Sequence, residues 1–121
     1  MNAKEETPER APGTTTIAPG VLVTIARLTA LRVPGVVRLA NLPGGVNRLF
    51  RRGAGEGVRI EVENNSVGVD LYVELEPEVN VREVCGKIQS EIARAIQDMV
   101  SMDIEHIDVH VVDIAYDDPV G

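Results

Sequence analysis

From Asp70 to Asp113 the chain reads as strand, capped amphipathic helix, strand, and no other stretch restricts its fold so tightly. Val69, Leu71, Val73 and Leu75 alternate with Asp70, Tyr72, Glu74 and Glu76, the period-two pattern of a half-buried strand, and Pro77 stops it. Asn80 stands where a helix N-cap accepts the first free amides, and Glu83 follows at the capping-box position. Val81, Val84, Cys85, Ile88, Ile92, Ala95, Ile96 and Met99 recur at three- and four-residue steps, so one side of the predicted helix is apolar. Glu83 with Lys87 and Arg94 with Asp98 form i,i+4 pairs on the wet side, each worth a few tenths of a kcal/mol. Beyond the helix, Ile107, Val109 and Val111 oppose His106, Asp108 and His110, and a phase shift at Val112 and Ile114 marks a bulge or strand end.

Upstream, Pro19 suits the first turn of an earlier helix, with Ile17 placed to pack back on it. Val21, Leu22, Ile25, Leu28 and Leu31 are expected to form its buried side, and the helix should end at Val33 before Pro34-Gly35. Residues 36–57 are rich in turn signals and read as a long irregular connection, a type of loop that is usually functional or mobile. Val58, Ile60 and Val62 then alternate with Arg59, Glu61 and Glu63 as a strand, and Asn64-Asn65-Ser66 supplies a hairpin turn. The expected architecture is α+β and two-layered: a three-stranded mixed sheet covered on one face by two helices, in the order α-β-β-α-β. The strands flanking the second helix should run parallel. Residues 1–13, polar and Pro-containing, read as a disordered leader, residues 14–116 as the domain and residues 117–121 as a tail.

Charge is distributed unevenly. Residues 27–59 hold seven arginines against Glu56, whereas residues 60–121 hold fifteen carboxylates against three basic side chains. Such a molecule can attract its own kind head to tail. Trp is absent, and Phe50, Tyr72 and Tyr116 are the only aromatic residues, which weakens readings that need base-stacking or sugar-binding platforms. No apolar run approaches the length of a membrane span and no signal peptide is legible, so a cytoplasmic location with at most peripheral membrane contact is expected. Cys85 sits on the apolar helix stripe and reads as a small buried hydrophobe.

The side chains offer little catalytic chemistry. The face of the sheet left open by the helices should carry Arg59, Glu61, Glu63, Asp70, Tyr72, Glu74, Asp108 and His110. His106-x-Asp108-x-His110 projects three metal-competent groups to one side of a strand, but residues two apart there lie about 7 Å from each other at the backbone, so a solvated face is the favoured reading. Paired carboxylates such as Glu61 with Glu63 and Glu74 with Glu76 have no apolar pocket to raise a pKa, and charge on sheet edges explains them. No nucleophilic triad or phosphate loop is present. No enzyme activity, metal or cofactor is expected. Arg48, Leu49, Phe50, Arg51 and Arg52 make the sharpest local cluster and are the candidate partner-binding element, an apolar pair set among arginines. The acidic remainder of the chain argues against nucleic acid as that partner.

Residues 17–39 (IAPGVLVTIARLTALRVPGVVRL), 70–99 (DLYVELEPEVNVREVCGKIQSEIARAIQDM) and 107–114 (IDVHVVDI) together resemble the bacterial alkaline shock protein family, the Asp/Gls group. Gly20 departs from the acidic residue that family often carries after Ile-Ala-Pro. The resemblance implies a small cytoplasmic protein without established enzymatic activity, tied to cell-envelope homeostasis and stress response. Its expected partners are itself or a family relative, some of which are anchored at the membrane. Regulation of a lipid-synthesis enzyme, or weak RNA binding, is the alternative function.

Overall fold

A computed structural model describes residues 13–40, 54–55 and 57–116. Its elements are α1 (Pro19–Leu31), β1 (Val36–Leu39), β2 (Ala54–Gly55), β3 (Val58–Glu63), β4 (Ser66–Leu75), α2 (Val81–Val100) and β5 (Asp103–Ile114). The architecture is α+β, as expected, but the sheet has five strands. The order is therefore α-β-β-β-β-α-β.

The sheet is organised around β4. Its whole length, Ser66 to Leu75, pairs in parallel with Asp103 to Ile114 of β5, as the crossover through α2 requires. That pairing occupies one edge of β4, so β3 and β1 share the other in tandem. β3 runs antiparallel to residues 66–71 and β1 antiparallel to residues 73–75. The hand-over falls at Tyr72, whose N–H donates to the Gly57 carbonyl (2.9 Å) and whose carbonyl accepts from the Ala40 N–H (2.7 Å). β2 pairs with the outer edge of β3. The hairpin between β3 and β4 turns at Asn64-Asn65, with Asn64 in the left-handed region at φ 58°, a conformation asparagine tolerates well.

β1 and β2 are the corrections to the three-stranded expectation. β1 has four residues, one of them an arginine, beside strong turn signals, and β2 is an Ala-Gly pair with no strand propensity. Both form because unsatisfied edges of β4 and β3 are available to pair with them. The phase shift read at the end of the chain is a bulge: Val73 pairs with Val111 and Glu74 with Asp113, leaving Val112 as the extra residue. A second bulge leaves Glu105 unpaired between Ile104 and His106.

Both helices cover one face. Val67, Val69, Leu71, Val73 and Leu75 point into the core and are fully buried. They meet Leu22, Ile25, Ala26 and Ala30 of α1 and Val84, Ile88, Ile92 and Ile96 of α2. α2 begins as read from the sequence, with the Asn80 side chain accepting from the Glu83 N–H at 3.0 Å. It ends at Ser101 in the left-handed region, whose N–H donates to the carbonyls of Ile96 and Gln97. Val81 and Met99, at the two ends of the predicted stripe, are exposed, and Lys87 lies 3.8 Å from Glu91.

α1 departs from expectation in a consequential way. It stops at Leu31, and the N–H groups of Arg32 and Val33 close the end with bonds to Thr29 and Ala30. Its buried residues are Leu22, Val23, Ile25, Ala26 and Ala30. Val21 and Leu28, expected inside, are each 46% exposed, and Leu31 is 39% exposed. Ile17, expected to pack back on the helix, is exposed as well. With Val23, Ala26 and Ala30 available, the helix has more apolar residues than one face can bury, and the small ones allow the closer approach to the sheet.

Candidate functional site

The sheet face away from the helices carries a polar cluster built by strand register. Asp70 on β4 lies between Arg59 of β3 and Asp108 of β5, its cross-strand partners. Along β5 the bulge at Glu105 brings His106 opposite Gly68 and His110 opposite Tyr72. The sequence reading treated Asp70 as one of several solvated carboxylates. The structure leaves it only 8% exposed, because the side chains around it lean over it.

Asp70 is held by three neighbours. Arg59 Nη2 donates to Oδ2 at 3.2 Å, His110 Nε2 lies 3.2 Å from Oδ1, and His106 Nε2 lies 3.6 Å from Oδ2. Burial raises the pKa of this carboxyl, but hydrogen bonds from His110 and Arg59 and the Arg59 charge outweigh it and hold the group below its ordinary value. Asp70 is thus a fixed anion at neutral pH.

The two imidazoles are oriented by their cross-strand partners. His110 stacks on Tyr72 with ring centroids 4.6 Å apart and planes inclined by 14°. His106 lies across Gly68, where an added Cβ would stand 2.4 Å from its Cε1. Only glycine leaves room for that ring. The donor atoms of Asp70, His106 and Asp108 all fall within 4.8 Å of one another. The objection drawn from 7 Å backbone spacing fails because the ring of His106 reaches across to a neighbouring strand. Sequence reasoning recorded the His-x-Asp-x-His pattern but not its partner. The signal was the repeat Gly68-x-Asp70-x-Tyr72, which falls in parallel register with it.

A second surface lies on the helical side. Val21, Thr24, Leu28 and Met99 line a groove of about 470 Å³ between the outer side of α1 and the end of α2. Thr24 is exposed like its neighbours, so the outer side of α1 presents Val21, Thr24, Leu28 and Leu31, at steps of three, four and three. This is the spacing of a helix–helix seam. Cys85 is half-buried, and burial pushes its thiol up, away from thiolate reactivity. The arginine cluster Arg48, Leu49, Phe50, Arg51 and Arg52 lies outside the described residues. Among the described residues no helix is long and apolar enough to cross a membrane.

Comparison with known proteins agrees with the resemblance read from the sequence. The chain is 29% identical to YqhY of Bacillus subtilis over 107 residues, covering 87% of this chain and 79% of that protein. It is 32% identical to Spy1535 of Streptococcus pyogenes serotype M6 over 100 residues, covering 82% of this chain and 77% of that protein. Among solved structures, MamM CTD variants share the fold. One, in its zinc form, superposes with a TM-score of 0.57 over 82% of this chain and 89% of its own, at 18% identity. Another gives 0.56 over 79% and 95%, also at 18% identity. Identity at that level carries the fold alone across. The sequence matches go further: over residues 7–116 this chain belongs to the family of alkaline shock protein 23, whose function is cell envelope-related.

Proposed function

We propose that this chain is a non-enzymatic interaction module that associates with a second copy of itself and supports cell-envelope homeostasis from the cytoplasmic side. The observation that carries the reading is the outer side of α1. A helix apolar all round belongs in an interior, yet one side of this one, Val21 with Leu28 and Leu31, faces solvent. Its three-four-three spacing suits another helix, and a two-fold arrangement would set the seam against its own copy. Family membership supports the envelope setting. The segment Arg48–Arg52 is proposed as a second contact, for an acidic surface of a relative or for phosphate headgroups.

In-cell crosslinking with separation of membrane and cytosol tests both parts. The reading predicts a crosslinked homodimer in wild type that is lost in Leu28→Asp, whose site is exposed and does not support the core. Membrane recovery that falls in the Arg48/Arg51/Arg52→Ala variant would support the second contact. A monomer recovered only with a metabolic enzyme or with ribonucleoprotein would overturn the reading.

A further inference from the structure

We propose that Asp70, His106 and Asp108 form a binding site for a divalent transition-metal cation of the zinc type on the open face of the sheet. The donor set is two carboxylates and one imidazole, a combination suited to zinc and its neighbours rather than to calcium or magnesium. Spacing agrees with that choice. Ligands bound at 2.0–2.2 Å in a tetrahedron stand roughly 3.4 Å from each other. Asp70 Oδ2 and His106 Nε2 are already 3.6 Å apart, and the Asp108 carboxylate falls with them inside 4.8 Å. Small side-chain rotations close that triangle, and water can fill the outward positions because Asp108 is exposed.

Three features indicate that the arrangement is built. Gly68 clears the space in which the His106 ring lies, and a Cβ there would meet ring atoms at 2.4 and 2.9 Å. The Glu105 bulge sets the register that brings His106 opposite that glycine. His110, itself seated on Tyr72, approaches the other oxygen of Asp70 at 3.2 Å, the kind of outer partner that orients a ligating carboxylate. Arg59 is the competing cation. It meets Asp70 on Oδ2, and with His106 neutral the formal charge of Arg59, Asp70 and Asp108 together is negative, so a divalent ion is still attracted.

The test is titration of the metal-free full chain with zinc chloride, followed by calorimetry and by the imidazole ring proton resonances. The expected result is saturation at one equivalent, with the His106 resonances shifting and the affinity falling at least tenfold in both His106→Ala and Asp108→Asn. Asp108 is exposed, so its variant stays folded and reports on binding alone. Gly68→Ala, which displaces the ring without removing a donor, should weaken binding as well. Absence of saturable binding in wild type, or equal affinity in wild type and Asp108→Asn, would overturn the proposal.

Discussion

Asp70 shows how one residue's role depends on strand register more than on local pattern. By sequence it belongs to the wet phase of its strand, and it does point away from the core. It is nevertheless the most enclosed polar side chain among the described residues, because Arg59, His106 and His110 converge on it. Asp70→Ala leaves a partly buried guanidinium without its carboxylate and should cost about 1 to 3 kcal/mol in urea unfolding. The sign of the pH dependence follows from the lowered pKa of Asp70. Its contribution is complete above the ordinary carboxyl value of 3.8 and is lost as the pH falls through the lower folded value, so the stability gap between wild type and Asp70→Asn should close in acid. Gly57 is the second demanding position. At φ +73° an added Cβ would lie 2.5 Å from Leu39 Cβ and 2.7 Å from the Ala40 carbonyl oxygen, where β1 hands over to β3. Gly57→Ala should therefore destabilise by at least about 1 kcal/mol in the same assay.

Among the elements, α2 was the most legible. Its cap, its stripe and the parallel pairing of the strands around it all follow from residues close in sequence, so local pattern is enough to find them. Ile88 is fully buried at the middle of that stripe, and Ile88→Ala should lose about 2 to 5 kcal/mol, whereas Lys87→Ala should shift the melting temperature little. Equal melting temperatures would contradict the packing of α2. β1 and β2 were illegible because they are too short to show a period and owe their conformation to edges supplied by β4 and β3. The face of α1 was misread for a different reason. Its apolar residues exceed one stripe, and spacing alone cannot say whether Val21 and Leu28 or Val23 and Ala30 face the sheet. Of the polar cluster, His106, Asp108 and His110 were visible in the sequence, but the burial of Asp70 and the seat for His106 at Gly68 depend on a pairing between strands separated by a helix.

At the scale of the whole molecule, two forces could join copies. One is the charge asymmetry between residues 27–59 and the acidic remainder, and the other is the apolar side of α1. They separate by salt. Contacts between exposed charges are screened within about 8 to 10 Å near physiological ionic strength, so an electrostatic assembly dissociates as salt rises. Burial of Val21, Leu28 and Leu31 is insensitive to that screening and is strengthened by excluded salts such as sulfate. The account assigns association to the seam, so self-association should persist in high salt. Sedimentation velocity over a rising concentration series, on wild type and Leu28→Asp, tests this most directly. The account predicts a concentration-dependent dimer for wild type and a folded monomer for the variant. A wild type that stays monomeric throughout, or a variant that dimerises equally well, would contradict it.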